Sequence, residues 1–215
     1  MAVYPLRRVP PITSALIGLT LGMSVVAVID ARMGGRLLWH LALIPEAVWR
    51  GQIWRLVTWP FILGGPLALI FTCIALYTFG TDLLIQWGGR RYLRYLGGVV
   101  LVAGVGTCLA ALALPGAWEM PQLGGMVLID AIVIAWARQF PDSPVQVYFV
   151  LLLHGRALVT FTVAVTLLFA VYFGLAWALP ELLAIAAALL YMHRTPRRLW
   201  LRLKLAWVRR RLSAI

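Results

Sequence analysis

Apolar residues run along this chain in six long blocks, near residues 11–29, 66–86, 95–114, 123–140, 157–176 and 179–192, separated by short polar or basic connections. A helix needs about 20 mostly apolar residues to cross a hydrocarbon core of about 30 Å. The pattern therefore predicts an all-α polytopic membrane bundle of six transmembrane helices, with no separate soluble domain. The last two blocks are short. From Ala157 to His193 the chain must cross, turn near Gly174 and Pro180 and cross again, which leaves about 14 to 20 residues per span and tends to thin the surrounding bilayer. The first block follows Arg7 and Arg8 like a signal peptide. It is too long for a signal core and no small-x-small cleavage site follows, so it is read as a span.

Composition supports the same class. The chain has 215 residues, 63% of them hydrophobic and 12% charged, with a mean hydropathy of +0.92, far from a soluble domain. A net charge of +12 would raise the question of nucleic acid, but eight of the nineteen Lys and Arg residues follow Tyr191, and Arg90, Arg91 and Arg94 fill one connection. That placement is membrane topology, and no nucleic-acid partner is expected. Six spans put Arg7, Arg8, Arg90 to Arg94, Arg138, Arg156 and the tail on one side, opposite Glu119 and Glu181, so both termini are expected in the cytoplasm. The expected membrane is a bacterial inner (plasma) membrane. The expected division is a six-span domain over 1–193 and a basic tail over 194–215, in which Leu201, Leu205, Val208 and Leu212 share a helical stripe apart from Arg198, Arg202 and Arg209. That tail is either an amphipathic helix on anionic lipid or a disordered topology signal.

The first connection, residues 30–65, is too apolar for a solvated loop and too polar to cross. Its four tryptophans, Trp39, Trp49, Trp54 and Trp59, predict a segment lying in the membrane interface. Within it stands Gly51-Gln52-Ile53-Trp54-Arg55-Leu56-Val57-Thr58. The second block ends Phe79-Gly80-Thr81-Asp82, followed by Gly88-Gly89-Arg90-Arg91-Tyr92. With six spans and both termini inside, this resembles the rhomboid superfamily, whose members carry a Trp-Arg motif in a membrane-lying first loop and a Gly-x-Arg-Arg-aromatic end to the second span. The resemblance covers roughly residues 13–191.

For active members the family implies a serine in Gly-x-Ser-x at the start of span four, a histidine base in span six, and span-two donors for the oxyanion. A hydroxyl needs a base in hydrogen-bond reach, and the oxyanion needs fixed donors. Here the serine position falls in Gly124-Gly125-Met126-Val127, on Met126, and the span-two positions become Ala68 and Thr72. Blocks two to six contain no serine, and the last contains no histidine before His193, at its far end. The chain is thus similar to the inactive rhomboids of Derlin type. For these the family implies binding of transmembrane clients or a membrane protease complex, with local membrane thinning, as in membrane protein quality control.

Asp130 lies one turn beyond Met126 on the same helix face. It either lines a client cavity with Gly124, Gly125 and Met126 or is a structural, protonated or Arg-paired carboxyl; an intramembrane acid is a functional candidate because burying it is costly. A small-solute transporter or channel using Asp130 is the alternative, and it lacks the paired broken helices of such folds. Asp82 is expected to pair with Arg90 or Arg91. His40, His154 and His193 form no metal-binding spacing, and Cys73 and Cys108 read as buried apolar residues, so neither metal nor cofactor is expected. Membrane lipids are expected contacts.

Overall fold

The computed structural model describes residues 10–147 and 151–194. The basic tail helix expected after Pro196, and Arg7 and Arg8, lie outside the described residues. Helix α1 (Pro11–Arg32) starts on a proline, whose missing N–H costs nothing in a first turn. Its connection to the next long helix folds into three short helices, α2 (Leu37–Leu41), α3 (Pro45–Trp49) and α4 (Arg55–Thr58), closed by a tight turn over Trp59–Phe61. Helices α5 (Pro66–Ala75) and α6 (Thr81–Trp87) are one rod, joined through a π-helical turn over Leu76–Gly80. There follow α7 (Gly89–Ala110), α8 (Gly125–Gln139), α9 (Gly155–Phe173) and α10 (Leu175–Arg194). Among the described residues five helices are long and apolar enough to cross a membrane: α1, the α5–α6 rod, α7, α9 and α10.

The fourth block forms the shortest of the long helices and the middle of the bundle. α8 has 15 residues, about 22 Å of helix against a hydrocarbon core of about 30 Å. Val127, Leu128 and every residue from Asp130 to Ala137 are buried, because α5, α7, α9 and α10 pack around it. A helix apolar on all sides needs such a jacket. α7 is tied to it by one polar contact, in which the Tyr95 hydroxyl donates to the Ala131 carbonyl at 2.6 Å.

Two boundaries differ from the expected ones. α7 begins at Gly89 rather than near residue 95, since Gly88 (φ +78°) reverses the chain in one step. Arg90, Arg91 and Arg94 therefore occupy the first two turns of a span, where long side chains reach outward and Arg91 stacks over Trp87 at 4.9 Å. The turn expected between Gly174 and Pro180 is made by Gly174 alone (φ +92°), and Pro180 lies inside α10. A proline there cannot donate to the Ala176 carbonyl four residues back. The Gln122 amide donates to that oxygen instead, at 2.9 Å. Gln122 also pairs through its backbone with Leu43 of the first connection, in both directions. The bundle is all-α as expected; an antiparallel ribbon, β1 (Pro144–Val147) with β2 (Leu151–His154), caps its basic end between α8 and α9.

Candidate functional site

Arg55 of the Trp-Arg motif bonds across the first connection, whose short helices form a plate. Arg55 is only 5% exposed. Its Nε donates to Gln52 Oε1 at 2.7 Å, and its Nη1 donates to the carbonyls of Ala42, at 2.6 Å, and Trp39. One planar guanidinium thus satisfies the carbonyls that close α2, for which its fork geometry suits it. Burial lowers the Arg55 pKa from its ordinary value, yet an arginine stays charged at any physiological pH. Thr58 adds a bond from its hydroxyl to the Leu41 carbonyl at 2.9 Å. Asp30 at the end of α1 accepts from the Leu37 N–H at 2.7 Å and so caps α2.

The plate's tryptophans divide. Trp39, Trp49 and Trp54 are about half exposed, the amphipathic placement of an interface ring. Trp49 Nε1 donates to the Cys108 carbonyl at 3.2 Å, fixing the plate to the end of α7, and Trp54 Nε1 donates to His40 at 3.4 Å. Trp59 departs from the interface expectation. It is fully buried, because Gly104 on α7 leaves room beside it: a Cβ there would stand 3.4 Å from Trp59 Nε1.

The four candidate cavity residues lie where the plate meets the start of α8. Gly124 sits backbone to backbone on the plate, with its N–H shared between the carbonyls of Trp59 and Ile62 at 3.0 and 3.1 Å. A Cβ on Gly124 would fall 2.0 Å from Pro60 Cα, so only glycine fits. Gly125 begins the helix, and Met126 follows, partly exposed. Asp130, one turn along, is buried, and its Oδ2 has no hydrogen-bond partner among the described residues. Glu181 stands on α10, which packs against α8. Sequence reading placed Glu181 in a surface turn; it enters the site because α10 begins at Leu175, which puts Glu181 inside the helix.

Ala68 and Thr72 stand on α5, which packs against α8. The Thr72 hydroxyl donates to the Ala68 carbonyl of its own helix at 2.7 Å. The structure thus brings the span-two and span-four positions onto facing helices beneath the plate. His193 lies at the opposite end of α10. Asp82, expected to meet Arg90 or Arg91, accepts from Trp136 Nε1 at 3.1 Å, which holds α6 to α8. Two residues that sequence reading did not single out position the site. Gln122 is described above. The Ser24 hydroxyl of α1 donates to the Phe61 carbonyl at 2.9 Å and accepts from the Leu63 N–H at 3.2 Å. No group of three or more His, Cys, Asp or Glu residues suited to a metal ion occurs among the described residues.

Comparison with known proteins adds two findings. A family described as "Eukaryotic integral membrane protein (DUF1751)" matches residues 13–200. Derlin-1 of Arabidopsis thaliana is 30% identical over 158 residues, 73% of this chain and 56% of the relative. The chain therefore spans just over half the length of that relative. The expectation of a bacterial inner membrane is overturned by both findings, since the family is eukaryotic and the relative comes from a plant. What stands is an integral, multi-pass membrane protein. With its bundle matched almost from end to end, the chain belongs to the eukaryotic integral membrane protein family DUF1751, as a Derlin-like relative of the rhomboids.

Proposed function

We propose that this protein is a non-proteolytic rhomboid pseudoprotease, which binds transmembrane clients at the α8 cavity and hands them to a membrane partner such as a protease or extraction machine. The observation that carries the reading is the contrast within one site. The plate is fully braced by Trp54 and Arg55, while the position that would hold a nucleophile carries Met126, with the unpartnered Asp130 beneath it. A thioether has no proton to give and cannot attack a carbonyl.

The same geometry supplies a way to bind. α8 is roughly 8 Å shorter than the hydrocarbon core, so its first turn is sunk below the level of the interface. The plate fills that depth with polar backbone, and a bilayer next to it thins. α9 is tied to the bundle near its start by Leu158 and at Thr166, whereas Val171, Tyr172 and Phe173 at its end are largely exposed. Few packed contacts leave that end free to move, giving a client helix a lateral route toward Asp130. There a carboxyl that lacks a partner would accept a hydrogen bond from a polar residue in the client. Such a residue is badly placed in lipid, and the pairing selects for it.

The test is reconstitution of the purified full chain into vesicles with a fluorescent single-span peptide carrying one central asparagine. Binding is read by anisotropy and integrity by gel. Binding without cleavage, weakened by Asp130→Leu and lost when the central asparagine becomes leucine, is expected. Cleavage of the peptide overturns the reading. A second reading, solute movement through Asp130, draws on Glu181 of α10 as a second acid within the bundle. It requires flux in the same vesicles that Asp130→Asn and Glu181→Gln abolish.

A further inference from the structure

At the basic end of the bundle, between α8, α9 and α10, lies a cavity of about 660 Å³. Arg138, from the last turn of α8, and Arg156, the second residue of α9, stand at its rim; Ala137, Val159 and Leu189 give it apolar walls, and Thr160 adds a hydroxyl. The two arginines come from different helices and line one cavity because α8 and α9 turn back on each other closely. Gly155 lies against the Phe140 carbonyl so tightly that a Cβ would stand 2.3 Å from it. Arg138 has no ion-pair partner among the described residues. Arg156 touches Asp142 at 3.0 Å, but both side chains are about three-quarters exposed, and such a pair holds its members weakly. The N–H groups of Gly155 and Arg156 are already taken by the Ser143 and Pro141 carbonyls. The positive potential is therefore supplied by side chains and not by the end of α9.

We propose that this cavity is a specific site for one anionic phospholipid, its phosphodiester held by Arg138 and Arg156 and its first methylenes lying on Val159 and Leu189. Two guanidiniums suit phosphate oxygens, which they bind through paired N–H donors. The cavity also lies at the level of the bundle where a headgroup would be. α7 and α9 both begin there, α8 ends there, and Arg90, Arg91 and Arg94 occupy the same end. Basic pockets between membrane helices take anionic headgroups for this reason. A free phosphate shares the headgroup chemistry but would leave the apolar walls and most of the volume unused.

Native mass spectrometry of the detergent-solubilised full chain, titrated with phosphatidylglycerol, with phosphatidylcholine and with inorganic phosphate, tests the site. One phosphatidylglycerol is expected to bind well ahead of phosphatidylcholine. Arg138→Gln and Arg156→Gln each weaken it about fivefold, and together about twentyfold or more. Thr160→Trp narrows the cavity with both charges intact and also weakens binding, so a misfolded double variant cannot be mistaken for support. Arg94→Gln, at the same end but outside the lining, leaves binding unchanged. Equal binding of the two lipids overturns the site, as does an equal loss in Arg94→Gln. Displacement of phosphatidylglycerol by an equal concentration of inorganic phosphate would assign the cavity to a soluble anion.

Discussion

Replacing Arg55 with alanine removes three hydrogen bonds at once, to Gln52 Oε1 and to the Trp39 and Ala42 carbonyls. The two carbonyls then lose their donor in a plate that admits little water, and each orphaned acceptor costs about 1–3 kcal/mol. The guanidinium's own desolvation is relieved by the same change, so a net loss of about 2–4 kcal/mol is expected. Arg55→Lys keeps the charge but reaches only one carbonyl at a time, and should lose about half as much. For a protein of this size, 2–4 kcal/mol corresponds to a fall in Tm of roughly 5–15 °C. Cys108 provides a local reporter, because it is buried and its carbonyl accepts from Trp49 of the plate. In a Cys73→Ala background, a thiol-reactive dye read against temperature follows release of the plate from α7. Arg55→Ala should label Cys108 at a lower temperature than Arg55→Lys, and both below the parent. A Tm for Arg55→Ala within 1 °C of the parent, with unchanged labelling, would refute the account of the motif as a brace.

Two further predictions use the same melting assay. Gly124→Ala drives a Cβ into Pro60 backbone that cannot yield and should cost about 3 kcal/mol or more, whereas Gly106→Ala meets only the flexible end of Leu183 at 2.9 Å and should cost about 1 kcal/mol or less; equal losses would contradict this. Gln122→Leu leaves the Ala176 carbonyl unpaired and should cost about 1–3 kcal/mol, while in a Pro180→Ala background the restored helix N–H takes that carbonyl and the cost should shrink by half or more. Strict additivity of the two changes would show that Gln122 is not the donor that Pro180 makes necessary.

The spans were legible in the sequence because hydrocarbon imposes a length and an apolar composition on any helix that crosses it. The start of α7 was not, because Arg90, Arg91 and Arg94 look like a loop until Gly88 is seen to reverse the chain in one residue. The three short helices of the plate were hidden for a different reason. Helices of four or five residues carry no periodic pattern, and they are held by side chains bonding to backbone carbonyls, which a sequence does not display. The Trp54 and Arg55 pair was found by resemblance, and the structure supplies its physical role. Gly124 was noticed as part of a motif, but the reason only glycine fits is its contact with Pro60, distant in sequence. Asp130 was visible as an acid in an apolar run; the place of Glu181 inside α10 was not, because the turn was placed too late in the chain. Ser24 and Gln122 carry no signal beyond being polar, since their partners are main-chain atoms of other elements.

The measurement closest to the central claim is site-specific photocrosslinking in native eukaryotic membranes, with the photoreactive residue at position 126 or, as a lipid-facing control, at Val102. Position 126 is predicted to capture membrane proteins at their full, uncleaved length, through a transmembrane segment, with capture reduced by Asp130→Leu and absent from position 102. Capture of cleaved fragments at position 126, or the same products from both positions, would contradict a client-binding cavity without proteolysis.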